Sequence, residues 1–530
     1  MTEAASITGR TDLVTGLLKP EAYPHEVTLP IRIAETHISW VLLAGAYAYK
    51  IKKPLRLSFL DYSTLAQRRA CCESEVTLNR RYAPELYLGV SAIGGTPEQP
   101  RVDAGGPALE YAVRMAHFDP AEELHLLLAE ARVTRDEITA LGEYVARFHA
   151  TAGRADPDGA YGIPEDVHRV TLDNFADLQR LPGSTGRQRV LAALESRLND
   201  SFGRCHGLVA ARRAQGWVRE CHGDLHCRNV VRWRDRLTPF DGIEFDPALR
   251  FVDVASDLAF LTMDLATHGR TDLRHAALQA WVESLGDFAG LPLLPYFEAY
   301  RALVRAKVSA LRSLQAGSRT ADRESALASV ATYLEIAAKC LRRPAPRLIL
   351  TCGYSGSGKS WLARELAVRL EALHLRSDVE RKRLAGLRPL ADSRSPPDSG
   401  IYTLEFNERT YARLADCARS ALLAAESVIV DAAFLRRGER TNLVHVAMEL
   451  GVPAAILHCT APEQVLRERV ERRAREGGDP SEAGLAVLAR QPGYWEAFDE
   501  TEWPQVISVD TTSAGAVDST LARLRSVDTR

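Results

Sequence analysis

The sequence predicts a two-lobed α+β domain followed by an α/β domain built on a parallel sheet. Three observations lead there. The chain has 530 residues, enough for two to four domains at roughly 100–200 residues each. A long helix-like stretch stops at Leu341-Arg342-Arg343-Pro344-Ala345-Pro346, where two prolines end it. Before that point strand patterns crowd the start and helical patterns follow, whereas after it short apolar runs and helices alternate. The expected domains are therefore 1–344, with a β-rich lobe over about 28–118 and a helical lobe over about 119–342, and 345–530.

In the first domain His37–Leu43 and Ala46–Ile51 read as strands joined at Gly45, followed by a helix over 62–82 and a strand over 109–115. Helical patterns then cover 121–130, 134–151, 188–215, 255–268, 272–285 and 294–341. Gly94–Pro107 reads as a hairpin loop and Ala391–Gly400 as a mobile surface loop. In the second domain strands are expected at 347–352, 373–377, 427–430 and 453–459. Helices are expected from Lys359 and over 404–424, 437–450 and 462–475. Strands and helices in this rhythm make a parallel sheet covered on both faces.

Composition narrows the function classes. With 46% hydrophobic and 26% charged residues the chain is an ordinary globular protein. A net charge of −2 gives no overall field to recruit nucleic acid or an anionic membrane. Nine cysteines, two of them adjacent at 71 and 72, follow no disulfide framework. The first residues, MTEAASITGRTD, lack the basic-then-apolar pattern of a signal peptide, and no apolar run reaches the roughly 18 residues of a membrane span. A cytoplasmic protein is expected. Only eight of the 67 basic residues are Lys, so each lysine is worth placing.

Two motifs carry chemistry. Gly353-Tyr354-Ser355-Gly356-Ser357-Gly358-Lys359-Ser360 fits G-x-x-x-x-G-K-[ST], between an apolar strand and a helix. Backbone N–H groups of such a loop cradle phosphates, the lysine reaches the β/γ-phosphates and the serine hydroxyl ligates Mg²⁺. Asp378, at the end of the next strand, is a candidate to activate an acceptor hydroxyl, or a helix N-cap. Asp431, ending the strand 427–430, is a candidate Mg²⁺ carboxylate, or an ordinary turn residue. Arg469 and Arg473, on an Arg-rich helix before Gly477-Gly478, are candidates to close over the γ-phosphate, against the alternative of a solvated face.

The second motif is Cys221-His222-Gly223-Asp224-Leu225-His226-Cys227-Arg228-Asn229, an H-x-D-x-x-x-x-N pattern. In phosphoryl transfer such an Asp accepts the hydroxyl proton and the Asn holds a metal. Zinc on Cys221, His222, His226 and Cys227 is the competing reading, weakened by the absence of a second compact ligand pair. Lys50, on a strand, is the candidate phosphate lysine, with Glu73 or Glu75 as its partner. Met115 leads into a candidate adenine hinge. Asp241 and then Glu244 are candidates for the second metal ligand.

On GYSGSGKS, RSDVERKR and VIVDAAF, residues 345–510 resemble the small-molecule P-loop kinases of the gluconate kinase, chloramphenicol phosphotransferase and zeta-toxin group. On the HGD loop and Arg250-Phe-Val-Asp253-Val-Ala-Ser-Asp257, residues 28–340 resemble the aminoglycoside phosphotransferase and choline kinase superfamily, whose fold is protein-kinase-like. There a carboxylate equivalent to Asp253 or Asp257 braces the catalytic loop. The whole chain resembles bacterial fusions of these two parts. The resemblance implies an ATP- and Mg²⁺-dependent kinase acting on small-molecule hydroxyls at two sites. Two alternatives stay open: a P-loop switch regulating one kinase, and a C-terminal polynucleotide 5′-hydroxyl kinase. No G-x-G-x-x-G precedes Lys50, only Gly45.

Overall fold

The computed structural model describes residues 12–36, 38–57, 60–181, 185–314, 320–396 and 399–527. His37, where the first expected strand begins, residues 315–319 of the expected helix 294–341 and residues 397–398 of the expected loop 391–400 lie outside them. The chain forms two compact units, one of residues 1–169 with 209–268, the other of 170–208 with 269–530. The expected boundary at 344/345 marks where the chain enters the second sheet. The compact units divide earlier, so helices from the expected helical lobe cluster with the P-loop sheet.

Unit 1 is built around an antiparallel sheet of β1 (Arg32–Glu35), β2 (Ser39–Ala44), β3 (Tyr47–Lys52), β4 (Tyr87–Thr96), β5 (Gln99–Val102) and β6 (Glu110–Ala116), in the order β1-β2-β3-β6-β4-β5. Helix α1 (Leu65–Asn79) opens with a reciprocal capping box between Thr64 and Gln67. The apolar residues Ala48, Cys72, Val76, Val113 and Met115 join it to the sheet. Gly94–Pro107, expected as a loop, contains the end of β4 and all of β5. Pro97-Glu98 suffices as the turn, Thr96 pairs with Gln99, and Val102 enters the core. The Gly and Pro content of the segment masked its alternating burial.

Helix α2 (Val254–Thr267) is buried along almost its whole length, as expected of a helix apolar all round. The helix Pro164–Gln179 was not anticipated. Further along, the single helix expected over 294–341 is two, Leu294–Leu314 and Thr320–Cys340, packed on one another.

Unit 2 holds a five-stranded parallel sheet of β7 (Leu348–Cys352), β8 (Leu373–Arg376), β9 (Val428–Asp431), β10 (Ala454–Thr460) and β11 (Val506–Asp510), in the order β8-β9-β7-β10-β11. The central strand β7 is buried at every position, which is why its sequence runs apolar without alternation. Ile349, Leu362, Leu366, Leu457, Ile507 and Leu524 form one core cluster against this sheet, each such side chain contributing about 1.5–3 kcal/mol by burial. Strand β11 and the helix Ala516–Val527 complete the layer and were not foreseen.

Candidate active sites

In unit 1, β3 carries Lys50 and Lys52 two positions apart, on one face of the sheet. Lys50 Nζ donates to Glu75 Oε1 of α1 at 2.8 Å and pairs with Asp241 Oδ1. Lys52 pairs with the other oxygen of Glu75 and with Glu244, and Tyr62 Oη donates to Glu244 at 2.6 Å. Glu73 instead meets Arg69 at the surface. Burial opposes charge on Lys50, but Asp241 and Glu75 outweigh it and hold the pKa well above the ordinary lysine value. Burial likewise opposes ionisation of Glu75, and Lys50 and Lys52 outweigh it and hold the carboxyl below its usual range. Exposure separates the two candidate metal carboxylates: the Asp241 side chain is 42% exposed and that of Glu244 only 4%.

The HGD loop is fixed by Asp257 of α2, which accepts from His222 N–H at 3.2 Å and Gly223 N–H at 2.8 Å and is bonded to His149 Nε2 at 2.9 Å. Asp253, the other candidate brace, holds Arg212 at 2.7 and 2.9 Å and caps α2. Gly223 has φ +84°, and a Cβ there would lie 2.7 Å from Leu249 O, so the loop demands glycine. Asn229 Nδ2 donates to the carbonyl and to Oδ2 of Asp224, both at 3.0 Å. His222 Nε2 lies 2.9 Å from Phe240 O, and Ile243 N–H donates back to His222 O at 3.0 Å. These bonds lay the Asp241 segment against the HGD loop. Asp241 itself sits at φ +61°, a left-handed conformation that costs of order 1–3 kcal/mol for a non-glycine residue and clusters at functional sites. Met115 is buried beside Ala48 and Val231, and just past it His117 N–H donates to Ala46 O at 2.9 Å.

In unit 2 the loop 353–358 links β7 to the helix Lys359–Leu370. Lys359 Nζ donates to Tyr354 O at 2.7 Å, and burial lowers its pKa against the pull of Asp431. Ser355 is held through its N–H and hydroxyl by Gln491, at 2.7 and 3.0 Å. Arg469 donates to Gly356 O at 3.2 Å and to Thr511 Oγ1 at 2.9 Å, and Thr511 in turn donates to Ser357 O at 2.8 Å. Arg473 donates to Ala483 O at 2.5 Å. The Arg469 guanidinium thus grips the loop backbone, while that of Arg473 is tied to the segment after its own helix.

Asp431 at the end of β9 is bonded to His374 Nε2 at 3.0 Å and to the Ser360 hydroxyl. Burial opposes its charge, but these bonds and the nearby Arg376 outweigh burial and hold the carboxyl far below its usual range. Asp378 is the second residue of the helix Ser377–Leu384, whose N-cap is Arg376, so the alternative of Asp378 as the N-cap does not apply.

A cavity of about 1760 Å³ adjoins the phosphate loop. Lys359, Ser360, Asp378, Asp431, Arg469 and Arg473 all line it, and Tyr402, Asn407, Glu439 and His445 stand among its other walls. Sequence reasoning missed His374, Gln491 and Thr511. His374 carried a signal, standing two residues before the end of the second strand. Gln491 and Thr511 carried none, since they lie 136 and 154 positions from the loop residues they hold.

Residues 348–497 match the AAA domain family. A protein of Mycobacterium tuberculosis (strain H37Rv), described as uncharacterized, is 30% identical over 469 residues, covering 88% of this chain and 91% of its own length. Among solved structures, the chain is similar to a choline/ethanolamine kinase family protein from Mesorhizobium loti (13% identity, 61% of this chain and 99% of that one, TM-score 0.36). It is also similar to a gluconokinase from Sinorhizobium meliloti 1021 (24% identity, 34% of this chain and 95% of that one, TM-score 0.25). The chain belongs to the family of the mycobacterial protein.

Proposed function

We propose that the protein is an ATP- and Mg²⁺-dependent phosphotransferase with two sites, each passing the γ-phosphoryl group of ATP to a small-molecule hydroxyl. The observation that carries the reading is the joining of Lys50 to both Glu75 and Asp241, residues 25 and 191 positions away, beside a loop holding Asp224 and Asn229. Lys50, oriented by Glu75, neutralises phosphate charge. Asp224, steadied by the Asn229 amide, takes the acceptor proton as general base, which is worth about 10²–10⁴-fold in rate.

The donor set suits Mg²⁺. The Asn229 amide nitrogen is spent on Asp224, which turns its carbonyl oxygen to metal duty, and Asp241 adds an accessible carboxylate, both hard oxygen donors. Such an ion, when bound, offsets charge on the transferring phosphate. Glu244, enclosed by Lys52 and Tyr62, positions Lys52 rather than metal.

In unit 2 the loop 353–358 cradles phosphates, with Gly353, Ser355, Gly356, Ser357 and Gly358 supplying backbone and Lys359 the charge. Ser360 with Asp431 offers the metal oxygens. Asp378 is the acceptor base, Arg469 holds the loop that cradles the phosphates, and Arg473 closes on them once it releases Ala483 O. The large cavity beside Asp378 favours a catalyst over a nucleotide switch, because a switch needs no acceptor room. The reading is tested by following ATP consumption over a panel of hydroxylated metabolites with wild type, Asp224→Asn and Lys359→Ala. Each variant is expected to lose one set of acceptors and keep the other. Loss of every activity in both variants contradicts two separate catalysts.

A further inference from the structure

The catalytic loop of unit 1 carries a donor atom that phosphoryl transfer does not use. Cys227 Sγ, a carboxylate oxygen of Asp264 and a ring nitrogen of His268 lie within 4.8 Å of one another. Asp264 and His268 are four residues apart at the C-terminal end of α2, hence on one helix face. Asp264 Oδ2 also accepts the Cys227 N–H at 2.9 Å, so carboxylate and thiol are already registered to each other. Asp264 and His268 act electrostatically on His125, on the helix Leu124–Ala129. Its Nδ1 is buried and lies 3.2 Å from Glu123 Oε2 without hydrogen-bond geometry.

We propose that Cys227, Asp264 and His268 bind a thiophilic divalent cation of the Zn²⁺ class, with water completing the shell. A thiolate, an imidazole and a carboxylate are the donors such an ion accepts, whereas Mg²⁺ takes oxygen and leaves sulfur. The site is therefore chemically distinct from the oxygen-only pair at Asn229 and Asp241. Metal–ligand lengths of about 2.0–2.3 Å place tetrahedral ligands roughly 3.3–3.8 Å apart. The trio contracts by about 1 Å to reach that, and exposed His268 is the arm with room to move. The thiol proton passes to solvent as the ion binds. Arg228 and His226 act electrostatically on His125 as well, and the thiolate, Asp264 and Glu123 offset their charge. Among the described residues a second trio, His149, Cys221 and Asp257, is fully buried, but both oxygens of its Asp257 are taken, by His149 and His222 on one and Gly223 on the other, so it is set aside. An ion at Cys227 ties the loop bearing Asp224 and Asn229 to α2.

Titration of the full chain with Co²⁺ in excess Mg²⁺ tests this, because cobalt bound to a thiolate gains a sulfur-to-metal charge-transfer absorption. One equivalent with that band, displaced by Zn²⁺, is expected. The band should vanish in Cys227→Ser, and Co²⁺ affinity should fall by about tenfold or more in His268→Ala, with ATP turnover without Co²⁺ or Zn²⁺ unchanged in the latter. Absence of the band, or a band and affinity unaltered by both substitutions, overturns the proposal. If Cys227→Ser does not fold, His268→Ala alone decides, since residue 268 is exposed.

Discussion

Gly242 stands where the Asp241 segment meets α1. Its N–H donates to Asn79 Oδ1 at 2.8 Å, and a Cβ there would fall 1.8 Å from Tyr82 Oη. Tyr82 is itself bonded to Asn79 and stacked on His222, so it cannot yield without disturbing the HGD loop. Gly242→Ala is expected to destabilise unit 1 by about 1–3 kcal/mol and to abolish its phosphoryl transfer, read by thermal unfolding and ATP turnover. Glu75→Gln leaves two buried lysines with one carboxylate fewer, and breaking such a pair costs about 3–5 kcal/mol. The expected outcome is loss of folded unit 1 in denaturant titration, whereas the surface variant Glu73→Gln leaves it unchanged. The pairing of Asp224 with Asn229 and the strand–loop–helix setting of 353–360 were legible in the sequence because contiguous spacing encodes them, and the strand position of Lys50 from its alternation. Which of Asp241 and Glu244 is the exposed carboxylate was not, for two carboxylates three positions apart differ only in what surrounds them. Lys52 and Tyr62 enclose one, and a left-handed backbone turns the other outward.

At the scale of elements, periodicity placed the long helices and the buried strands of the second sheet to within a few residues. It failed for β4 and β5, where glycine and proline outweighed alternation, and it passed over β11, although Ile507 and Val509 alternate there with exposed Ser508 and Asp510. It also missed how the helices before residue 344 attach. Arg274 and Arg343 both pair with Glu298 and Glu426, all inside unit 2, which ties helices 271–340 to the segment before β9. Burial opposes ionisation of Glu426, but the two arginines outweigh it and lower its pKa to about 2. Because the folded pKa lies below the unfolded value of 4.5, the pair stabilises fully above about pH 4.5, and that stability is lost as pH falls towards 2. Unit 2 is therefore expected to soften across that window in acid unfolding followed by circular dichroism. In Glu426→Gln this dependence should disappear and stability at neutral pH should fall by about 3–5 kcal/mol.

At the scale of the whole molecule, each unit gathers its own cluster of the residues proposed to handle phosphate, around Lys50 in one and Lys359 in the other. The scarcity of lysine fits this. Lys50 and Lys52 pair with Glu75, Asp241 and Glu244, Lys359 stands at the end of the 353–358 loop, and Lys382 is buried against Glu482, which lines the cavity of unit 2. The two-domain expectation was legible from the prolines at 344 and 346, which mark where the chain enters the second sheet. The division into compact units was not, because it depends on which distant segments pack together, as Arg274 and Glu426, 152 positions apart, do inside unit 2. The account stands on the two sites being separate. Equilibrium binding of a non-hydrolysable ATP analogue with Mg²⁺, counted by calorimetry on the full chain, tests this most directly. Two equivalents are predicted for the wild type and one each for Lys50→Ala and Lys359→Ala. A single equivalent in the wild type, or its loss in both variants, would contradict it.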